Sequence, residues 1–316
     1  MKKKVAGFFI LLSSSFLHSQ DFEFPKLKTS TVGIEGTQIM VDQGETSVAD
    51  WLSFVYNNVF LPQQEDIETV RGEMMKNLPD TNALPEKYRF MFRIFLRCIG
   101  KEKDDAGFSK HFFFGHNIVK GVVVSDMQGV YLLLSKDEVR NKIKTKLETY
   151  LSLPMVSVSF EQVQNYLQWR EQMVQDDKAI KEKGYKVKAR MLTTEELKKF
   201  ASDLGPHSAD NHSAQIDTVN KEGCYLLNIK VDNPCSSVLE GRKKFGEGAV
   251  GVFSYFPDRK GLFSIYGNVA EMTNVKGIAQ GGAYNDYGTV CQAGETVEYD
   301  RPQPWLGFRC VFELSK

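Results

Sequence analysis

Residues 261–271 read Gly-Leu-Phe-Ser-Ile-Tyr-Gly-Asn-Val-Ala-Glu, residues 281–284 read Gly-Gly-Ala-Tyr, and residues 307–310 read Gly-Phe-Arg-Cys. Each block is marked by glycine, the residue that a backbone uses where it turns sharply or approaches another segment closely. No single block is specific by itself. Their order within the C-terminal part of the chain is the most informative feature of the sequence.

The first twenty residues predict a secretory signal peptide. Three lysines at positions 2–4 precede an apolar stretch at 5–16, and a polar segment follows at 17–20. The apolar stretch is shorter than the about 20 residues that a membrane-spanning helix needs. An uncleaved anchor is the alternative. We therefore expect an exported protein that is periplasmic, on the outer surface or extracellular, with no transmembrane segment after signal removal.

The charge balance excludes two classes of partner. The chain of 316 residues has 40 basic and 40 acidic side chains, and three of the basic ones belong to the predicted signal. A near-neutral, slightly acidic surface gives no electrostatic basis for binding nucleic acid or an anionic membrane. The remaining length is sufficient for one large domain or two small ones.

The five cysteines all lie beyond the predicted signal, where an exported protein can form disulfides. From proximity in sequence we expect Cys224 to pair with Cys235 and Cys291 with Cys310. This pairing is one of several that five cysteines allow. Cys98, within an apolar run, is left as a buried thiol.

Three helix starts are marked by capping boxes, in which a Ser or Thr side chain and an acidic or amide side chain three residues later satisfy each other's backbone N–H groups. Ser47 begins the first helix after a strand and an acidic turn at 41–45. Ser159 caps a helix that we expect to run to about Gln175, after an alternating strand from Pro154. Thr193 caps the third helix, with Glu196 completing the box.

Residues 56–152 separate the first of these helices from the second. Two helices are predicted within 63–99, broken between Pro79 and Pro85, and a solvated helix at 136–148. Two apolar runs at 122–124 and 130–134, joined by five residues, predict a β-hairpin. We interpret 56–152 as an insertion that packs on the core of one domain at 21–316.

The glycine blocks resemble the C-terminal signature of the formylglycine-generating enzyme, or sulfatase-modifying factor, family. That signature reads roughly GLYDMSGNVWEW, then RGGSW, then GFR. Residues 153–162 are similar to the family's HPVVNVSWEDA, and 190–197 to its RLPTEAEW. The resemblance covers about 40–55 and 153–316. It implies an α+β domain related to C-type lectins, with short sheets, few helices, much irregular structure, and framework roles for the glycines. For Arg309 we expect a buried ion pair or contacts with backbone carbonyls.

The resemblance also locates the family's chemistry, which uses two cysteines that bind Cu(I) after the Gly-Gly pair. Counted from Gly281, their positions are Asp286 and Cys291 in this sequence, and Ala283 replaces the family's serine. A soft Cu(I) ion prefers two thiolates, and a carboxylate is a poor substitute. The sequence therefore favours neither copper binding nor formylglycine generation.

A structural calcium ion is the second site that the resemblance implies. Its ligands correspond to Ser264, the carbonyls of Gly267 and Val269, and the carboxylate of Glu271. Carboxylate and carbonyl oxygens suit Ca²⁺. The alternative is that Glu271 belongs to a local hydrogen-bond network without metal. Asn228-Ile229 resemble part of the family's second calcium site, whose acidic partner is not identifiable here.

Two functions follow. The first is a non-catalytic binding or scaffold module of the cell envelope, such as a component of a gliding or secretion assembly, that binds a protein, an envelope component or a glycan. Its ligand surface would comprise Tyr284, Tyr287, Tyr299 and Trp305. The second is a metal- or oxygen-dependent enzyme of the same superfold with altered chemistry. Its candidate ligands are His111, His116, Asp286 and Glu295.

Overall fold

A computed structural model describes the protein over the following residues: 30–55, 73, 76–80, 82–89, 92, 118–119, 122–123, 149–202, 227–230, 248–255, 257–258, 260–287, 291 and 294–316. The strands in chain order are β1 (Thr31–Gly33), β2 (Ile39–Asp42), β3 (Ile118–Val119), β4 (Val122–Val123), β5 (Lys186–Arg190), β6 (Ala270–Met272), β7 (Ile278–Gln280), β8 (Thr296–Glu298), β9 (Leu306–Gly307) and β10 (Val311–Ser315). The helices are α1 (Val48–Phe54), α2 (Phe160–Gln175), α3 (Lys178–Lys183) and α4 (Thr194–Ser202). The predicted α+β class with short sheets is confirmed.

The first sheet joins the two ends of the described chain. Its strands are antiparallel in the order β1-β2-β10-β5. Side chains alternate between the two faces of a strand. Accordingly, the paired Met40 and Phe312 enter one hydrophobic cluster, and the paired Val41 and Val311 enter another. This sheet is therefore buried on both faces between β2 and β10.

The second sheet contains the glycine blocks. Its order is β8-β7-β6-β9, antiparallel except for β6 and β9, which run parallel. Glu271 pairs with Gln280 on one side and with Gly307 on the other. The three blocks that are separated in sequence therefore meet on adjacent strands.

The predicted helix caps are confirmed. Ser47 and Asp50 form a reciprocal capping box at α1, and Ser159 and Gln162 form another at α2, which ends at Gln175. At α4, Thr193 Oγ1 accepts from the backbone N–H of Glu196, and Glu196 Oε2 accepts from that of Thr193.

Aromatic packing holds α1 and α2 on the core. Trp51 stacks on Tyr166 with ring centroids 5.5 Å apart, and Phe308 meets both rings edge-on. Arg170 of α2 binds Asp42 at the end of β2, with Nη2 3.1 Å from Oδ1. Helix α2 is thereby fixed across the first sheet.

The prediction of a strand that begins at Pro154 is wrong. Pro154 forms an isolated bridge with Ser47, and residues 153–158 are all buried, without alternation. Ser157 has φ +61°, which interrupts an extended strand. The segment instead crosses the core, where Met155 N donates to Thr46 O.

Part of the predicted insertion contributes to the main core. Leu78, Leu84, Tyr88 and Phe92 are buried in the larger hydrophobic cluster. Tyr88 Oη donates to Pro154 O at 2.9 Å, and Trp51 Nε1 donates to Asn77 O at 3.0 Å. Strand β4 pairs with β3, while 124–134 and 136–148 lie outside the described residues. The predicted signal and His111, His116, Cys98, Cys224 and Cys235 also lie outside them.

Candidate functional site

A buried ion pair lies between the two sheets. Arg309 Nε donates to Glu271 Oε1 and Oε2 at 3.0 and 3.2 Å, and Nη2 donates to Oε1 at 2.7 Å. The remaining N–H groups reach three carbonyls, those of Asp42, Gln43 and Phe263. Both side chains are buried. The prediction that Arg309 forms a buried ion pair or carbonyl contacts is confirmed, because it does both.

Asn268 joins four separate segments of the chain. Its Nδ2 donates to Glu45 Oε1 and Val250 O, and its Oδ1 accepts from Asn228 Nδ2 and Val250 N. Its backbone carbonyl accepts from Tyr284 N. We call Asn268 with the residues that it binds, Glu45, Asn228, Val250 and Tyr284, the Asn268 junction.

The backbone at this junction explains the glycines. Asn268 has φ +60°, in the left-handed region that asparagine tolerates better than most residues. A Cβ at Gly267 would lie 2.6 Å from Asn228 O, and one at Gly281 would lie 2.8 Å from Ile265 O. Contacts this short cannot be relieved without moving backbone. These glycines therefore have the predicted framework role, because another part of the backbone comes too close to each of them for a side chain to fit.

Glu45 is a buried acid that sequence reasoning did not select. The residue is 2% exposed, Oε1 accepts from Asn268, and Oε2 has no hydrogen-bond partner among the residues that the structure describes. Burial raises the pKa of Glu45 to about 8, Arg309 opposes this rise, and Glu271 adds to it. The available signal was an acidic residue placed directly before a capped, apolar helix.

The calcium ligands predicted for the Gly-Asn-Val loop include one carboxylate, that of Glu271. Both of its oxygens accept from Arg309, so it does not offer a free carboxylate to a cation. Asn228 of the second predicted site uses its side-chain amide on Gly248 O and Asn268, and Ile229 is buried among apolar residues. This geometry favours the alternative of an internal network. Calcium binding stays a prediction.

The two positions that correspond to the family's redox pair are neighbours in space. Asp286 Oδ2 accepts from Ala283 N, and Asp286 N donates to Ala283 O, both at 2.9 Å. Asp286 thus closes the turn that follows Gly-Gly. Cys291 is buried, and burial together with the Asp286 carboxylate raises its pKa to about 12. Cu(I) prefers two thiolates, and these positions offer one thiol beside a carboxylate. That copper is not bound here stays a prediction.

The predicted disulfide between Cys291 and Cys310 is wrong, because both are free thiols. Cys310 belongs to the larger hydrophobic cluster and lies 3.8 Å from Thr46 Oγ1. Cys291 belongs to the smaller cluster, against Gly282. The prediction relied on the proximity of the two cysteines in sequence. In the structure they belong to hydrophobic clusters on opposite sides of the first sheet.

The four aromatic residues of the predicted ligand surface differ in exposure. Tyr284, Tyr299 and Trp305 are half-buried and pack on the larger cluster. Tyr287 is 43% exposed, and Lys230 Nζ lies 4.5 Å from its ring centroid. Lys230 N also donates to Asp286 O. The exposed part of the predicted surface is therefore centred on Tyr287 and Lys230.

The residues proposed for an altered metal-dependent enzyme do not form a described cluster. Asp286 is engaged in its turn, and Glu295 is exposed. Over the ranges that the structure covers, there is no group of three or more His, Cys, Asp or Glu side chains arranged for a metal ion. None of the helices in those ranges is both long and apolar enough to cross a membrane.

The short sheets, the left-handed Gly267-Asn268 turn and the buried Arg309–Glu271 pair define a formylglycine-generating-enzyme-like domain. The chain belongs to the sulfatase-modifying factor family, since the family model of the sulfatase-modifying factor enzyme 1-like domain matches residues 40–314. This match spans most of the chain and confirms the predicted family.

Similar solved structures were found at low identity. PvdO from Pseudomonas aeruginosa is 16% identical with a TM-score of 0.34, and the match covers 52% of this chain and 63% of PvdO. CarF is 21% identical with a TM-score of 0.27, over 40% of this chain and 48% of CarF. Variable protein 1 of Treponema denticola is 14% identical with a TM-score of 0.34, over 92% and 93%. The chain thus spans less than two thirds of PvdO and about half of CarF. No curated protein matches the chain.

Proposed function

We propose that this protein is a non-catalytic member of the family that acts outside the cytoplasm as a binding or scaffold module. The observation that supports this proposal is the state of the expected redox positions. Asp286 stabilises a turn, and Cys291 is buried with a raised pKa. A thiol in that state is a poor nucleophile, because the thiolate is the reactive form.

The framework survives without the chemistry because the two depend on different residues. The Asn268 junction and the Arg309–Glu271 pair fix the loops, and neither uses Asp286 or Cys291 as a partner. A fold can therefore keep its architecture after its reactive groups change.

The decisive experiment offers the purified protein a sulfatase peptide that contains the target cysteine, with copper and oxygen, and follows the peptide by mass spectrometry. We expect no conversion. Conversion by the wild-type protein would refute the proposal. The Asp286→Cys variant is the matched control, since it places a second thiol beside Cys291. Conversion by this variant alone would identify the missing thiol as the cause of inactivity.

The proposed ligand surface is the region around Tyr287 and Lys230. A half-exposed aromatic ring with a neighbouring ammonium group suits a protein or glycan surface of an envelope component. Participation in a gliding or secretion assembly is the narrower form of this proposal. Capture from envelope extracts should decrease for Tyr287→Ala and stay unchanged for the control Val275→Ala, another exposed apolar site.

Export is proposed from the N-terminal segment alone. Cell fractionation, followed by N-terminal sequencing of the recovered protein, tests it. Recovery from the envelope or the medium with a start near residue 20 is the expected result. Recovery of an intact N-terminus from the cytoplasm would refute export.

A further inference from the structure

Among the residues that the structure describes, the buried acid Glu45 has no cation of its own. Arg309 is the positive group near it, and a guanidinium has five N–H donors. All five are accounted for by Glu271 and the carbonyls of Asp42, Gln43 and Phe263. The Arg309 charge is therefore already matched by Glu271, and Arg309 has no N–H group left for Glu45.

The other groups that face Glu45, including its own backbone N–H, compensate a negative charge only in part. Asn268 donates one hydrogen bond to Oε1, while Oε2 has no partner. Glu271 of β6 repels an ionised Glu45. Tyr88, from the segment at 86–89, is also buried near it and has its own pKa raised, first by burial and then by Tyr284 and Glu45. Burial of an unpaired carboxylate costs far more than burial of a neutral acid, so such a group takes up a proton.

We propose that Glu45 is a neutral, protonated acid in the native protein and that its proton keeps the Asn268 junction closed, so that the junction loosens in alkaline medium. Three observations support this: the complete use of Arg309, the unpartnered Oε2, and the burial of Glu45 together with Asn268 and Glu271. The raised pKa of Glu45, about 8, agrees with them. The proton leaves from the carboxyl group to solvent, and no other group needs to react.

The sign of the effect follows from linkage. The pKa of Glu45 is about 8 in the folded protein, against 4.5 for an unperturbed glutamate side chain. The folded state therefore binds the proton more tightly than the unfolded state. Its stabilising contribution is complete below the unfolded pKa and is lost as the pH rises through about 8. Alkaline pH should therefore open the junction.

The consequence reaches the proposed ligand surface. Tyr284 N donates to the carbonyl of Asn268. Tyr284 lies within the turn from Ala283 to Asp286, which Tyr287 follows. The order of this loop would then depend on pH. This second consequence rests on the proposed function, whereas the protonation of Glu45 does not.

Hydrogen exchange of single backbone amides tests the inference without a ligand. The reporters are the amides of Val250, Asn268 and Tyr284, whose acceptors belong to the junction. After correction for intrinsic exchange, the protection of these amides in the wild type should fall about tenfold between pH 7 and pH 9, on either side of the folded pKa of about 8. Glu45→Gln should keep its protection, and the control Glu298→Gln, at an exposed position in β8, should behave as the wild type.

Two results would overturn the inference: wild-type protection that does not change with pH, or a decrease of the same size in Glu45→Gln. If Glu45→Gln does not fold, infrared spectroscopy of the wild type replaces it. A carbonyl band of a protonated carboxylic acid should be present at pH 7 and disappear towards pH 9. Its absence at pH 7 would refute the inference, and neither result depends on the peptide-conversion assay.

Discussion

The replacement Glu271→Gln distinguishes an internal ion pair from a calcium site. Gln keeps the size of the side chain but removes its charge, so Arg309 becomes a buried cation without a counter-ion. Removal of one partner of a buried pair costs about 3–5 kcal/mol. Arg309 keeps three carbonyl acceptors, those of Asp42, Gln43 and Phe263. We therefore expect the lower end of this range, about 3 kcal/mol.

Urea unfolding with and without a calcium chelator measures this loss. A domain of this kind has a free energy of unfolding of about 5–15 kcal/mol, so a loss of about 3 kcal/mol is readily measured. The ion pair predicts the same loss in chelator and in calcium. The matched control Glu313→Gln removes a half-exposed carboxylate that binds Arg190 and should cost under about 1 kcal/mol.

Two outcomes would refute the reasoning about Glu271. One is a loss below about 1 kcal/mol, the range of an exposed pair. The other is that the chelator lowers the free energy of unfolding of the wild type by as much as the Glu271→Gln replacement does, and that it causes no further loss in the variant. That outcome would assign the carboxylate to calcium.

The remaining predictions concern the junction and the thiols. Asn268→Ala should lower the free energy of unfolding by about 4 kcal/mol, because four polar atoms lose a hydrogen bond to its side chain and two of these hydrogen bonds are fully buried. The control Asn285→Ala, at an exposed position, should change it by less than about 0.5 kcal/mol in thermal or urea unfolding. Gly282→Ala should strongly lower the free energy of unfolding, because the added Cβ would lie 2.3 Å from Cys291 Sγ. A second substitution, Cys291→Ala, should recover part of this loss, and no recovery would contradict the contact. Cys291 and Cys310 should resist a thiol reagent in the native protein and react with it on unfolding, because both thiols are free and buried. Mass spectrometry of labelled peptides measures this, and a disulfide between the two cysteines would contradict the structure.

The sequence predicts local structure well in this protein because the signals are local. The caps at Ser47, Ser159 and Thr193 each depend on a partner three residues away, and all three form. The family signature likewise predicted the fold and the framework role of Arg309.

Contacts between distant segments account for what the sequence did not predict. Asn268 binds Glu45, 223 residues earlier in the chain, and no spacing rule indicates that pair. Cys291 and Cys310 are close in sequence but belong to opposite clusters of the first sheet. Glu271 had two interpretations because its choice between a cation and Arg309 depends on packing, which a motif does not specify.

Strand β10 has a consequence for how the protein folds. It follows all the other described strands in the chain, yet it lies inside the first sheet, with β2 on one side and β5 on the other. During synthesis, residues 39–42 and 186–190 have no partner strand in this sheet position until residues 311–315 are available. Contacts of such long sequence separation slow folding, because chain closure must precede the gain in contact energy. Chains that are interrupted before Val311 should therefore expose two unpaired strand edges, which are sites for aggregation.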